Sequence, residues 1–406
     1  MRIRPFRAFR PPAALAARVA SPPYDVVDAG EARRIAQGND ACFLRVVRPE
    51  IDFSPGLNLY DESVYRRAGE NLHEFIDAGY LCKDPEPGMF LYRQVMGGQS
   101  QTGLVTTCMA EEYDQDVILK HERTLPRKED DRVRHMEALN AQTGPVFLTY
   151  REEEQVDLLV SRELQSDPIF DFTDDAGVGH TGWAVLDPDA FVEAFSSVPA
   201  AYVADGHHRC ASAARVAKAR RESNPRHRGD EPYNWFLSVL FPANQLNVLA
   251  YNRVVRDLNG QTPGEFIGAL TRSFELKEDA ESVPGAPRGV SLYIDGAWHG
   301  IEWDPAGNSD PVSTLDVSLL QNEILGPLLG IDDPRTSERI QFVGGIHGAK
   351  RLQELVDSGE AAAAFSMYPT SIRDLMRVAD AGKVMPPKST WFEPKLKSGL
   401  FVHTFE

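Results

Sequence analysis

The sequence predicts a soluble α/β (α+β) protein with more than one domain. Apolar runs of strand length alternate with amphipathic segments of helical periodicity, which is typical of sheets covered by helices. Near the middle, the apolar residues 200–204 lead through Asp205 and Gly206 into an alanine-rich segment, in the order strand, turn, helix. A chain of 406 residues is long for one hydrophobic core, so two or three domains are expected.

Three regions follow from this alternation: residues 1–110, 111–250 and 251–406. Helices are predicted over residues 29–37, 61–78, 210–221, 312–329, 349–357 and 370–379, with another beginning near Asp130. Strands are predicted over residues 89–95, 103–110, 144–150, 235–241, 291–294, 340–343 and 361–367. Residues 171–177 are predicted to form an acidic, turn-rich loop, which lacks the spacing and the terminal glutamate of an EF-hand.

Charge and cysteine content limit the classes of partner and compartment. The net charge of −17 argues against a nucleic-acid partner, although one local positive pocket could still hold a small anion. The four cysteines are widely separated and form no Cys-x-x-Cys pair, which favours a reducing compartment over a disulfide framework or a zinc site. Because no apolar run reaches the ~18 residues needed to span a bilayer, we expect a cytoplasmic protein without a membrane partner. The oligomeric state stays open.

The central turn, Asp205-Gly206-His207-His208-Arg209, concentrates acid, imidazole and guanidinium groups at one predicted strand end. A helix N-terminus offers unpaired N–H groups and a partial positive charge, which suit a phosphate or a carboxylate. Arg209 opposes the helix dipole in the first helical turn, so its presence favours an anion held between its guanidinium and the amides. The alternative is an ordinary solvated turn between strand and helix.

A second polar stretch, residues 121–128, contains His121, Glu122, Thr124 and Arg127. It lacks the second histidine of a His-Glu-x-x-His zinc helix, so a metalloprotease is excluded. Its acids could bind Mg²⁺ and its bases could bind phosphate, whereas Glu129 in the following run of charges is expected to be solvated. The alternative is a solvated, charged loop.

The third unusual stretch, residues 385–400, is stiffened by prolines and carries Lys388, Lys395 and Lys397 with interleaved hydroxyl groups. In a chain of net charge −17, such a positive strip indicates contact with an anion. We expect it to fold back onto the cleft of the central turn. The alternative is a solvated C-terminal loop.

The central turn resembles a motif of the ParB/sulfiredoxin-like superfamily, and its Asp-Gly-His-His-Arg order is similar to a signature of the free-serine kinases. Over most of its length the chain also resembles domain-of-unknown-function family 1015. The stretches that carry this second resemblance are residues 21–26, 121–124, 144–147 and 385–400. The first resemblance, to the ParB-like superfamily and the free-serine kinases, implies a ParB-like core in region 111–250, with additional α/β regions on either side. It also implies phosphoryl transfer between ATP or ADP and a small amino acid, free serine or phosphoserine, in either direction.

Expected roles follow from these resemblances and from the chemistry of each residue. The expected catalytic residues are Glu122, Asp205 and His207, with Glu122 as the base and Asp205 also as the Mg²⁺ ligand. The expected nucleotide-phosphate ligands are Gly206, His208, Arg209 and Arg127. The expected substrate contacts are His121, Thr124, Lys388, Lys395 and Ser398. The competing interpretation is a nucleotide-binding regulatory switch of ParB-like fold that has no catalytic turnover.

Overall fold

The computed structural model describes residues 1–303 and 309–406, and these form a mixed α/β protein with several sheets. The helices are α1 (Ala16–Val19), α2 (Ala29–Ala36), α3 (Leu44–Val47), α4 (Glu62–Asp77), α5 (Glu111–Asp114), α6 (Pro126–Leu139), α7 (Glu154–Glu163), α8 (Pro188–Ser196), α9 (His207–Ser223), α10 (Pro263–Leu270), α11 (Asp316–Leu320), α12 (Gly348–Asp357) and α13 (Ile372–Asp380).

The strands are β1 (Ile3–Arg4), β2 (Ala8–Arg10), β3 (Cys82–Lys83), β4 (Phe90–Met96), β5 (Gln99–Met109), β6 (Ile118–Leu119), β7 (Ala141–Gln142), β8 (Val146–Tyr150), β9 (Phe170–Thr173), β10 (Gly179–Ala184), β11 (Ala201–Asp205), β12 (Trp235–Pro242), β13 (Asn247–Leu249), β14 (Tyr251–Val255), β15 (Leu276–Glu278), β16 (Gly289–Ile294), β17 (Ala297–Glu302), β18 (Ile340–Gly344), β19 (Ala363–Met367), β20 (Trp391–Glu393) and β21 (Val402–Thr404).

The first of two compact units comprises Met1–Leu246 and Pro394–Glu406. Its main sheet has the order β6-β11-β8-β12-β5-β4-β10-β9, and β1 pairs with β5. The pairs β6/β11 and β8/β12 are parallel and the other neighbours are antiparallel. All five residues of β8 are buried, as expected for a strand with both faces covered. A smaller sheet, β3-β2-β21-β7, holds the C-terminal strand in the same unit.

The second unit, Asn247–Glu393, contains the antiparallel sheet β15-β17-β16-β19-β14-β18 and the pair β13-β20. The centre of the larger sheet is buried on both faces, because β16 and β19 are buried at every position. Among the described residues, no helix is long and apolar enough to cross a membrane.

Residues of the predicted regions 1–110 and 111–250 share one sheet, in which β5 lies between β4 and β12. The last residues of the predicted region 251–406, from Pro394 onward, belong to the first unit. The boundary predicted near residue 250 lies close to the change of unit after Leu246.

Two predicted helices differ most from the observed ones. The helix expected to begin near Asp130 begins at Pro126, because proline lacks an N–H and has the backbone angle that suits the first helical position. The helix expected over residues 312–329 is shorter: α11 begins at Asp316 and continues into a π-helical turn, Gln321–Leu325. Residues 171–177, expected as a loop, begin within β9.

Five histidines are buried in the first unit, and burial lowers the pKa of each ring. They are His121, His135, His180, His207 and His403. The pKa falls to about 3 for His135 and to about 4 for His180, His207 and His403, and that of His121 lies well below its usual value. Since an unfolded histidine titrates near ~6.5, the unfolded chain binds more protons than the folded chain between about pH 6.5 and pH 4.

We therefore predict that the free energy of unfolding decreases as the pH is lowered from 7 to 5. Each buried ring contributes a slope of at most ~1.4 kcal/mol per pH unit. Urea unfolding followed by tryptophan fluorescence at several pH values measures the slope. His403→Gln should reduce the slope, because it removes one of the buried rings. A stability that stays constant over this range would contradict the prediction.

Candidate functional site

The central turn has the predicted order of strand, turn and helix. β11 ends at Asp205, Gly206 adopts a left-handed conformation with φ +89°, and α9 begins at His207. The pairing of β11 with β8 shifts between Val203 and Asp205, which marks an irregularity at the strand end. Such bulges redirect a side chain locally. Gly206, the N-cap residue of α9, provides no side-chain cap, and the first helical N–H groups have no partner within the helix.

The Asp205 carboxylate accepts hydrogen bonds at both oxygens. Oδ1 accepts from the backbone N–H of Gly206 at 3.0 Å, and Oδ2 accepts from Lys395 Nζ at 3.0 Å. Burial alone would raise the pKa of Asp205, but the nearby charges of Lys395 and Arg209 outweigh it, and the pKa lies below its usual value. Asp205 is therefore an ionised carboxylate at neutral pH.

Two buried imidazole rings, those of His121 and His207, lie edge to face with their centroids 4.4 Å apart. Within the part of the chain that the structure describes, Nδ1 of His121 and Nε2 of His207 are buried without a hydrogen-bond partner. Loss of solvent is the main cause of the lowered pKa of each ring. Both rings are neutral at pH 7, and each has one buried ring nitrogen without a hydrogen-bond partner among the described residues.

Glu122 lies beside this pair, with Oε2 3.8 Å from Nδ1 of His207. Its side chain is 44% exposed, so a solvent-borne substrate can reach it. The loop that carries Glu122 is fixed to α9, because the backbone N–H of Leu125 donates to Nε2 of His208 at 3.0 Å. The structure thus brings the loop of His121 and Glu122 next to His207 and His208 at the start of α9, and the roles expected of these residues stay predictions.

Thr124 and Arg127 make other contacts. The Thr124 hydroxyl donates to Glu129, and Arg127 is exposed and lies over the ring of Tyr60 at 4.5 Å. Glu129 is not solvated, contrary to expectation: its side chain is 17% exposed and pairs with Arg215 at 3.0 Å. The substrate role of Thr124 and the phosphate role of Arg127 stay predictions.

The Arg209 guanidinium already has two acceptors within the protein. Nη1 donates to the carbonyl oxygen of Pro145 at 3.0 Å, and Nη2 donates to Asp25 at 3.3 Å. The same guanidinium lies 5.2 Å from the ring centroid of Tyr24, which also contacts Arg132 at 4.0 Å. These contacts join α9 to an N-terminal loop, residues 20–28, which contains Pro22 and Pro23. The phosphate-binding role of Arg209 stays a prediction.

The C-terminal stretch contributes two of its predicted residues to the first unit. Lys395 pairs with Asp205, and Ser398 forms a two-way backbone bridge with Ser21 at 2.9 and 3.0 Å. Lys388 belongs to the second unit, where its ammonium lies 5.3 Å from the Tyr251 ring centroid and its carbonyl accepts from Arg253. Its predicted substrate role is untested.

A buried polar chain anchors this stretch and was not predicted from the sequence. Lys397 Nζ lies 2.6 Å from Asp174, Asp174 lies 3.2 Å from His180 Nε2, and His180 Nδ1 lies 2.6 Å from the Tyr92 hydroxyl. Burial alone would raise the pKa of Asp174. The hydrogen bonds and the charge that Asp174 receives from Lys397 and neighbouring donors outweigh burial and lower the pKa to about 2. In the sequence, the signals for these contacts were the acidic loop of residues 171–177 and the two lysines two positions apart, Lys395 and Lys397.

The donor set at Asp205 does not suit a resident divalent cation. No group of three or more His, Cys, Asp and Glu residues that could hold a metal occurs among residues 1–303 and 309–406. Mg²⁺ requires a near-octahedral set of oxygen ligands, whereas one Asp205 oxygen faces an N–H and the other an ammonium. The expected magnesium ligand is thus occupied by protein donors.

The chain belongs to the family described as protein of unknown function (DUF1015), whose model matches residues 3–318. This confirms the family suggested by the sequence. No curated protein matches the chain.

Solved structures with similarity to the chain include a free serine kinase in complex with AMP, with 14% identity and a TM-score of 0.38 over 73% of this chain and 91% of that one. SbnI with a C-terminal truncation, from Staphylococcus aureus, has 12% identity and a TM-score of 0.36 over 71% of this chain and 82% of that one. A conserved hypothetical protein from Pyrococcus furiosus has 14% identity and a TM-score of 0.36 over 72% and 93%, respectively. At these values the likenesses assign no function.

We predict that Gly206→Ala destabilises the first unit by ~1–2 kcal/mol, because an L-residue is strained at a positive φ. The reason is the backbone and not space, since the nearest atoms to an added Cβ would be 3.7 Å away. Gly206→Asn should lose less, because asparagine tolerates the left-handed region better.

Urea unfolding of Gly206→Ala, Gly206→Asn and the control variant Gly179→Ala measures this effect on stability. An added Cβ at Gly179 would meet only ordinary contacts, the nearest at 3.6 Å. That control should be neutral or stabilising by about 0.4–1 kcal/mol. Equal stability of all three variants would show that the left-handed turn is not required.

Proposed function

We propose that the chain is a nucleotide-dependent phosphotransferase that acts on a small amino acid, free serine or phosphoserine, through a ParB-like core. The observation that supports this best is the meeting of three features at one strand end. These are the uncapped N-terminus of α9, the ionised Asp205 paired with Lys395, and two neutral histidines with unpartnered ring nitrogens among the described residues. Phosphoryl transfer depends on positioning and charge neutralisation, which such a set supplies.

The nucleotide phosphates bind at the start of α9. A helix of 17 residues presents its first N–H groups and the positive end of its dipole at Gly206, where no side-chain cap competes. Because Gly206 has no side chain, a phosphate oxygen can approach the backbone closely. His208, already fixed to the loop of residues 121–125, lies beside these amides. ATP or ADP is the phosphoryl donor or acceptor, and Mg²⁺ enters as part of the nucleotide complex.

Glu122 is the base for the acceptor. In the forward direction, the serine hydroxyl oxygen bonds to the terminal phosphorus of the nucleotide while the bond to the bridging oxygen breaks. The nucleoside diphosphate from ATP, or the nucleoside monophosphate from ADP, leaves with the bonding electrons, and the hydroxyl proton passes to Glu122. A carboxylate within hydrogen-bond reach orients a weakly nucleophilic hydroxyl and accepts its proton late in the reaction. His207, 3.8 Å from Glu122, positions that carboxylate.

The amino-acid acceptor needs further contacts. His121, with its buried unpartnered nitrogen, and the hydroxyl groups of Thr124 and Ser398 are the candidates that the sequence analysis supplies. Arg127, exposed on α6, is proposed as a further contact to the nucleotide phosphates. A neutral imidazole can either donate to or accept from an amino acid, depending on its tautomer.

Incubation with ATP or ADP, Mg²⁺ and a panel of amino acids, followed by phosphorus NMR, tests the activity. A phosphorylated amino acid formed from ATP, or ATP formed from phosphoserine and ADP, supports the proposal. Nucleotide binding without any product from the panel would favour the regulatory switch instead.

Glu122→Gln should reduce turnover by about 10²–10⁴ while nucleotide affinity stays nearly unchanged, because the amide keeps the size but loses the basicity. Steady-state kinetics and calorimetry measure the two quantities. Glu193→Gln, at another exposed acid, is the matched control. Normal turnover per folded Glu122→Gln molecule would assign the proton transfer to another group.

The variant Arg209→Ala tests whether Arg209 contacts a nucleotide phosphate or has only a structural role. If the guanidinium also binds phosphate, its loss should weaken nucleotide affinity by about 1.5–3 kcal/mol, the range of a charge-assisted hydrogen bond. Asp25→Asn removes the negative charge that faces the guanidinium at 3.3 Å and keeps the guanidinium itself, so it should leave nucleotide affinity close to that of the unmodified protein. Unchanged affinity in Arg209→Ala would show that Arg209 only joins α9 to the N-terminal loop.

A further inference from the structure

Lys395 is held at Asp205 by more than its own ion pair. The side chains of Lys395 and Asp205 are 18% and 39% exposed, so the pair lies at the edge of the interior. The carbonyl of Lys395 accepts from Gln94 Nε2 at 2.9 Å, and Gln94 in turn accepts from Gln101 at 3.1 Å. Gln94 is fully buried, so the backbone of Lys395 is fixed to the main sheet.

A second anchor lies two residues further along. Lys397 pairs with Asp174 at 2.6 Å, and Asp174 is itself held by the backbone N–H groups of Ala176 and Val178 at 3.0 and 2.9 Å. Residues 394–398 alternate between buried and half-buried positions, with both lysines on the half-buried side. The main chain on either side of Lys395 is therefore fixed, while its four-carbon side chain can still turn toward a ligand.

The position of this ammonium decides which cation can act at Asp205. A divalent ion at Oδ2 would have to displace Lys395 from 3.0 Å, and the other oxygen already accepts from Gly206 N–H. Desolvating Mg²⁺ is costly and needs several oxygen ligands in return, which a single carboxylate with two donors on it does not offer.

We infer that Lys395, and not a divalent cation bound by the protein, supplies the positive charge at Asp205. Its assignment to the transferred phosphoryl group rests on the proposed function. In the resting site Asp205 fixes the ammonium. When nucleotide enters, the ammonium turns to an oxygen of the phosphoryl group as negative charge shifts there, and Asp205 keeps it aligned. Lys395 is thus a catalytic residue, and Gln94 and Asp174 are its positioning residues.

The first test uses Mn²⁺ without nucleotide, so it does not depend on the proposed function. Electron paramagnetic resonance should detect no Mn²⁺ bound at Asp205 in the unmodified protein with a Kd below about millimolar, because the ammonium excludes the ion. Asp205→Asn should therefore not remove any Mn²⁺ site of that affinity. A tight Mn²⁺ site that disappears in Asp205→Asn would overturn the inference.

The second test measures turnover at saturating nucleotide. Lys395→Met should lose about 10²-fold or more, comparable to removing one donor from a developing anion. Free Mn²⁺ beyond that bound by nucleotide should restore part of the loss in Lys395→Met and have no effect on Lys218→Met, whose lysine is exposed on α9. Full turnover of Lys395→Met, or a loss that free Mn²⁺ does not relieve, would contradict the catalytic role. If the unmodified protein shows no turnover, the proposed function fails while the Mn²⁺ experiment still decides which cation serves Asp205.

Discussion

A partly buried carboxylate at a strand end requires a positive partner, and in this protein the partner comes from 190 residues further along the chain. Asp205 ends β11, and Lys395 reaches it from the C-terminal stretch. Without that ammonium, burial would raise the pKa of the carboxyl group and favour its neutral form. The ion pair therefore sets the charge at the central turn and attaches the C-terminal stretch to it.

The anchoring of that stretch explains why the main sheet carries polar groups in its interior. Gln94, Gln101 and His180 are buried on β4, β5 and β10, where apolar residues would otherwise be expected. Each is hydrogen-bonded, as buried polar groups must be to avoid an unfavourable desolvation energy. Their partners include Lys395 and the acid that holds Lys397. These interior polar groups thus help to hold Lys395 and Lys397 in position.

Both charged side chains and neutral imidazole rings surround the central turn. The protein has a net charge of −17, yet Lys395 and Arg209 place positive charge close to Asp205. His121 and His207 add hydrogen-bonding nitrogens without charge, because burial keeps them neutral. A site built in this way can accept an anion locally despite the repulsive field of the whole molecule.

The sequence alone determined the local features of this protein. The apolar run, Gly206 and the alanine-rich segment specify a strand, a left-handed turn and a helix, because propensity and positive φ act over a few residues. The family could also be recognised, since it depends on short stretches of sequence. Only the tertiary structure decided the partners: Arg209 reaches Asp25 and Pro145, Glu129 is held by Arg215, and Lys395 meets Asp205. These pairs join residues distant along the chain, and packing of the sheet, not periodicity, brings them within hydrogen-bond distance.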